Sequence, residues 1–238
     1  MKNLLLAFCI ICLNQTIIAQ CDDIFITHST SQDIVTINSI SCNAGGSHAD
    51  NGYFRVFDLA SFGVASDYEV SSVDFGIENA VGMGGNQSAT VNLYTLSGPL
   101  QLSNLTLIHT QDIVIPDQAL TLYNLPLSAP VIVPAGSTLV YELFTPNGQA
   151  IGNEFFIGSN SGGESDLSYI VAADCNVLDI TSLSDINFPN VHFVMNIHGC
   201  LANAAGIPTI GQWGFIILGM GMLCIGVVAS RKRSLSLS

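Results

Sequence analysis

The chain has 238 residues, 49% of them hydrophobic and only 10% charged, with a formal net charge of −13. Residues 21–206 hold all 18 acidic side chains and a single cation, Arg55, a net −17. A surface this acidic repels phosphate backbones and anionic headgroups, which argues against nucleic acid as a partner and favours cations, solubility or salty surroundings.

At the N-terminus, Lys2 supplies a positive n-region, Leu4–Leu13 an apolar h-region and Asn14–Gln20 a polar-to-small c-region. Residues 1–20 thus read as a secretory signal peptide, too short to span a bilayer. Cleavage near Ala19 or Gln20 leaves Cys21 at or beside the new N-terminus. Gln20 argues against lipid attachment to Cys21, where a small preceding residue is expected.

Cys9 and Cys12 leave with the signal, and Cys224 lies in the apolar tail. Cys21, Cys42, Cys175 and Cys200 remain, an even number in an exported segment, where disulfides persist. The sequence-local pairs Cys21–Cys42 and Cys175–Cys200 are expected. Each closes a loop of about 20 to 26 residues, a contribution of about 3 kcal/mol. No C-x-x-C pair supports a zinc site.

From Asp33 to His198 the pattern is strand after strand. The β-rich runs are Asp33–Ile40, Tyr53–Leu59, Val70–Ile77, Ala89–Leu96, Leu105–Ile115, Ser137–Thr145, Asn153–Ile157 and Val191–His198. Polar and Gly/Pro/Asn clusters separate them, and helical periodicity is absent. Residues 21–200 are therefore expected to form an all-β ectodomain, an antiparallel β-sandwich of jelly-roll type. Alternation points Val73, Phe75, Ile77, Val191, Phe193, Met195 and Ile197 inward. His192 and His198 fall on the outer face, about 20 Å apart at strand rise and too far for one metal.

Motifs of catalysis are scarce. There is no Gly-x-Ser-x-Gly elbow, His-Glu-x-x-His pair or phosphate-binding loop with its lysine, so no catalytic residue is assigned. Gly82-Met83-Gly84-Gly85 reads as a turn. In the Tyr53–Leu59 run, Tyr53, Arg55 and Phe57 share one face and set the sole ectodomain cation between two aromatic rings. Such an Arg either stacks and donates to a sugar or carboxylate ligand, or makes a structural ion pair while the rings pack in the core. His48-Ala49-Asp50-Asn51-Gly52 is the most ligand-like loop. Asp50 and Asn51, with Asp58 and Asp174 as further partners, are the candidates for calcium, which needs six to eight oxygen ligands.

The C-terminal stretch begins Ile207-Pro208-Thr209-Ile210-Gly211-Gln212-Trp213-Gly214, after a short linker over 201–206. Seventeen uncharged residues run from Trp213 to Ala229, followed by Arg231-Lys232-Arg233. As a helix the run covers about 26 Å, the lower edge of what crosses a bilayer core of roughly 30 Å. Trp213 marks one interface and the cations the cytoplasmic one.

Motif, apolar run and basic cluster together resemble the IPTL-type C-terminal protein-sorting domain of bacteria, over residues 207–233, with Ile210 where that motif has Leu. The resemblance implies recognition by an exosortase-like membrane protease; an uncleaved anchor is the alternative. The expectation is an exported protein of the cell envelope or surface, held or sorted through one C-terminal transmembrane helix. Its ectodomain reads as a binding or adhesion module for a glycan or surface polymer. A jelly-roll hydrolase and a purely structural envelope or matrix component are the alternatives.

Overall fold

A computed structural model describes residues 23–202, together with Gly219 and Met222. In chain order the strands are β1 (Ile24–Thr27), β2 (Asn43–Ala44), β3 (Ser47–His48), β4 (Asn51–Asp58), β5 (Tyr68–Val81), β6 (Asn86–Leu96), β7 (Leu105–Pro116), β8 (Gln118–Val133), β9 (Thr138–Thr145), β10 (Glu154–Ile157), β11 (Ser159–Asn160), β12 (Tyr169–Ala172), β13 (Val177–Ser182), β14 (His192–Phe193) and β15 (Met195–Leu201). Single 3-10 turns fill some of the gaps, and every strand pairing is antiparallel.

One sheet runs β1-β15-β5-β10 with β8 also paired to β5; the other runs β13-β12-β4-β9-β6-β7. β5 organises the first sheet. Tyr68 and Val70 face the core, a register shift intervenes between Val70 and Ser72, and Val73, Phe75 and Ile77 face it thereafter. That bulge converts an even-numbered apolar face into an odd-numbered one, since side chains alternate with period two. β5 pairs with β15 up to Phe75 and with β10 from Ile77. At the seam, a Cβ on Gly76 would stand 2.5 Å from Ile34 Cδ1 and 2.9 Å from the Gly158 carbonyl oxygen. Only glycine lets these segments approach so closely.

The inner faces share one apolar core containing Tyr53, Phe57, Tyr141 and Leu143 from one sheet and Val73, Phe75, Phe155 and Ile197 from the other. Tyr53 touches Phe155 across it, with ring centroids 5.9 Å apart. The all-β antiparallel reading holds, and every side chain expected inward is buried. Five strands against six exceeds the eight of a jelly roll. Asp33–Ile40 is not a strand; it packs over the first sheet, with Val35 N–H donating to the Ser159 carbonyl and Ile37 and Asn38 N–H to Glu78.

Two further expectations are corrected. No helix among the described residues is long and apolar enough to cross a membrane. Among the described residues the fold is all-β, and the expected C-terminal transmembrane helix is not supported; apart from Gly219 and Met222, the stretch read as that span lies outside the described residues. The disulfide joins Cys42 to Cys175, not Cys21 to Cys42 or Cys175 to Cys200, while Cys200 is disulfide-bonded as well. The observed bond spans 133 residues, so it removes more chain entropy than a local pair, about 5 kcal/mol in the loop-entropy relation.

Candidate ligand-binding face

β4 places Tyr53, Arg55 and Phe57 on one face, but that face is the inner one, and all three are fully buried. Of the two readings of this trio the structural one holds: the rings pack in the core and Arg55 makes an ion pair. Arg55 Nη1 donates to the Asp166 carbonyl at 2.7 Å, and Nη2 donates to the Phe193 carbonyl and pairs with Glu164 Oε2 at 2.8 Å. Burial works against the guanidinium charge, and Glu164 is the chief opposing influence. Glu164 Oε2 also accepts from Ser168 Oγ at 2.6 Å, and Oε1 from the Ser168 N–H at 3.1 Å.

His28 completes this cluster, stacked on Phe57 with centroids 5.1 Å apart. Its Nε2 lies 2.9 Å from the Val56 carbonyl, which can only accept. Nε2 therefore carries the proton, and Nδ1 accepts from Ser165 Oγ at 2.8 Å. Burial, helped by the Arg55 charge, pushes its pKa below the ordinary 6.5.

The two outer histidines do not share a face as expected, because the strand breaks at Val194 and its halves join different ladders. His192 Nδ1 lies 3.4 Å from Glu164 Oε1. His198 Nε2 lies 2.8 Å from Asp74 Oδ2, in a cluster that also contains Asn124 and Asn196.

The calcium candidates do not assemble. Asp50 Oδ1 accepts from the Asn147 N–H, Asp174 Oδ2 from Asn147 Nδ2, and Asp58 Oδ1 caps the Leu59–Phe62 turn through the Ala60 N–H. Asn51 is buried, its Oδ1 accepting from the Cys42 N–H. Among the described residues no three His, Cys, Asp or Glu side chains form a group able to hold a metal ion. The sorting-motif residues Ile207, Pro208, Thr209, Ile210, Trp213, Gly214, Arg231, Lys232 and Arg233, and Cys21, lie outside the described residues.

The outer face of the six-stranded sheet carries a different cluster. Alternation on β9 turns Leu139, Tyr141 and Leu143 inward, which leaves Val140, Glu142 and Phe144 outward. β6 does the same, burying Val91 and Leu93 while Asn92 and Tyr94 face out; register sets Asn92 opposite Glu142 and Tyr94 opposite Val140. Tyr94 Oη donates to Glu142 Oε2 at 2.6 Å, and Asn92 Nδ2 to the same oxygen at 2.9 Å. Glu142 Oε1 receives no donor among the described residues and is not one of the fully enclosed orphan atoms. It lies over Gly52, where a Cβ would stand 2.7 Å from it and 2.8 Å from the Phe54 ring. Burial raises the Glu142 pKa above the ordinary carboxylate value, against the lowering effect of Tyr94 and Asn92.

A strap crosses this face. The loop over 97–104 leaves β6 and returns as β7, and its Leu102 N–H donates to Asp179 Oδ1 of β13 at 2.9 Å. Strands β12, β4 and β9 lie between β13 and β6 in the sheet. β6 ends level with Asp58, whereas Asp179 lies near the level of Gly52. The loop therefore folds back over the outer face rather than passing beyond the strand ends, and Phe54, on that face, is wholly covered. Sheet and strap form a trough. Phe54 and Val140 are fully covered on this face, and the open part of the trough is the polar strip along β6 where Asn92 and Tyr94 meet Glu142. Along β6 it continues to Thr90, which donates to Asp112, beside a hollow of about 360 Å³.

Fold and site thus define a two-sheet all-β protein with a strapped polar trough. No known family model matches the chain, and no curated protein matches it. A solved structure of infectious bursal disease virus, Gx strain, is similar over 78% of this chain at 13% identity and a TM-score of 0.24. The chain spans only 36% of that chain's length, and a superposition this loose carries no argument.

The signal for the trough was present in Thr138–Thr145 (TLVYELFT), where a carboxylate sits between Val140 and Phe144 on a strand whose other face carries Leu139, Tyr141 and Leu143 into the core. Its polar partners Asn92 and Tyr94 occupy alternate positions of the Ala89–Leu96 run in the same way. Which strand pairs with which, and hence that the three meet, is not written in either run.

Proposed function

We propose that this chain is an exported binding or adhesion module of a bacterial cell envelope, sorted through its IPTL-like tail, with its ligand site in the trough over Glu142. The observation that carries the reading is Glu142 itself. Its carboxylate is about nine-tenths buried and held by two side-chain donors to one oxygen, while the other oxygen is left open on a strapped face. A ligand donor can reach that open oxygen, whose lone pairs Tyr94 and Asn92 leave free. The Cys42–Cys175 bond agrees with an oxidising compartment. The acidic charge keeps such a module soluble and away from anionic polymers.

Two measurements test this. Screening the full chain against saccharides and peptides should find a ligand whose binding is lost in Glu142→Leu, and a ligand indifferent to that change would place the site elsewhere. Mass spectrometry of surface protein should show a cut near Pro208 in cells holding the sorting protease, and intact tail peptides there would exclude sorting by cleavage.

A further inference from the structure

We propose that β7 is a docking edge for an extended basic peptide, which adds to it as a further strand and sets a lysine or arginine beside Asp112, over the hollow at Pro146. The site does not involve Glu142.

The other ends of the two large sheets are blocked. β1 and β10 have four residues each, β13 has six and a shifted register, and β8 carries Pro126 and Pro130. Short strands, irregular register and proline all keep an edge from pairing. β7 has 12 residues, pairs with β6 alone, contains no lysine and meets proline only at its last position, Pro116. The Asp117 N–H donates to the Gly85 carbonyl at 3.0 Å, one step beyond the Asn86–Pro116 pair. Alternation from that bond turns the N–H groups of Ile115, Ile113 and Gln111 toward β6 and those of Val114, Asp112 and Thr110 away from it. Pro116, which has no N–H, falls in the outward set, as this phase requires. Val114, Asp112 and Thr110 are all exposed. The Gln111 side chain accepts from the Ser128 N–H and donates to the Pro126 carbonyl of β8, which fixes β7 over the other sheet without using its edge.

Room lies beside this edge. On an added strand, the residue opposite Asp112 points to the same outer face as Asp112 itself. There the hollow of about 360 Å³ is lined by Ser88, Thr90, Asp112, Val114 and Pro146. Thr90 Oγ1 donates to Asp112 Oδ1 at 2.8 Å and so orients the carboxylate. A long side chain fits with its stem on Val114 and Pro146 and its charge at Asp112. Charge selects the partner. Arg55 is the sole Lys or Arg of residues 23–202 and is wholly buried, so the surface of this region has acids and no lysine or arginine to balance them. A basic peptide is drawn by that field, whereas a second copy of the same edge brings no lysine or arginine to Asp112 and adds its own repulsion.

The test uses the purified full chain and short capped peptides in which valine and threonine alternate around one central residue, lysine or glutamate. The lysine peptide should bind, less tightly as salt rises, and the glutamate peptide about tenfold more weakly or worse. Binding should slow amide hydrogen exchange at Thr110, Asp112 and Val114. Thr110→Pro removes one outward N–H and leaves the bonds to β6, so it should fold, as a thermal melt checks, and lose about tenfold or more in affinity. Asp112→Asn should weaken the lysine peptide about threefold to fivefold, the upper range for an exposed ion pair. Failure of the lysine peptide to bind overturns the proposal. Binding without slowed exchange on β7, or with affinity unchanged in a folded Thr110→Pro, overturns strand addition; should that variant unfold, the exchange pattern of the unaltered chain decides. Equal binding of the glutamate peptide overturns the basic class. Sedimentation showing that the free chain pairs with itself, reversed by Thr110→Pro, would make the occupant a second copy and overturn the peptide assignment.

Discussion

The Glu142 and Glu164 side chains are both about nine-tenths buried, Glu142 on the outer face of the six-stranded sheet and Glu164 in a loop against Arg55 on its inner face, and they do different things. Glu164 meets a guanidinium, a hydroxyl and a backbone N–H, with donors to both of its oxygens. Glu142 meets a phenol and an amide at one oxygen only, and no cation. Depth of burial therefore does not distinguish a structural carboxylate from one held ready for a ligand; the count of donors at each oxygen does. The first joins distant segments into one fold, and the second leaves an acceptor that the fold itself does not fill.

The comparison breaks most visibly at Arg55. Arg55→Met should cost about 3–5 kcal/mol in denaturant unfolding, because it leaves the Glu164 charge buried without its partner. The double change R55M/E164M should recover most of that loss, since an apolar pair of similar volume is often neutral or better than a buried ion pair. A single change that costs under about 1 kcal/mol would mean that Ser168 alone satisfies Glu164, and the contrast with Glu142 would fail.

How much of this was legible in the sequence follows from the range of each signal. Inward residues such as Phe75, Phe193 and Ile197 were readable because alternation is a property of one strand. Tyr53, Arg55 and Phe57 were correctly grouped on one face, but the run itself could not decide between a ligand face and a structural ion pair. The Arg55 partner, Glu164, lies in a loop far along the chain, and only the fold brings them together. β8 was missed because Pro126 and Pro130 interrupt it, which an edge strand tolerates. The cysteines were misjoined for a related reason. Proximity in sequence favours short loops, whereas the sheets bring Cys42 and Cys175 to a Cα separation of 5.9 Å. The strap over Glu142 had no signal at all, since it depends on which strands the fold sets between β6 and β13.

Glu142→Gln sharpens the comparison from the other side. Burial raises the folded-state pKa of Glu142 above its unfolded value of about 4.5. The native state therefore binds the proton more tightly, and this residue's contribution is fully present below pH 4.5 and lost as pH rises through the raised pKa. At pH 7 the ionised carboxylate is a liability, so the glutamine variant should melt above the wild type. Toward pH 4.5 the gap should close. A variant less stable than wild type at neutral pH would show that the carboxylate is better satisfied in the free protein than its open oxygen implies.

The smallest expected effect belongs to His28, which lies against the Arg55 cluster and reports its charge. Burial and the Arg55 guanidinium lower its pKa, while the Val56 carbonyl, Asp166 and Glu164 act in the opposite sense. A histidine with a depressed folded-state pKa contributes stability above its unfolded value of 6.5, and that contribution is lost as pH falls from there toward the folded value. One such group changes unfolding free energy by at most about 1.4 kcal/mol per pH unit. Wild-type melting temperature should therefore drop between pH 6.5 and 5, and His28→Gln, which keeps an amide N–H for the Val56 carbonyl, should flatten that drop. In the R55M/E164M background one lowering and one raising influence are removed together, while burial still opposes the Val56 carbonyl and Asp166 at His28, so the slope should persist. If the slope instead vanished there with His28 intact, the acid sensitivity would belong to the ion pair, and the Arg55 cluster would be a pH-dependent lock rather than a passive structural pin.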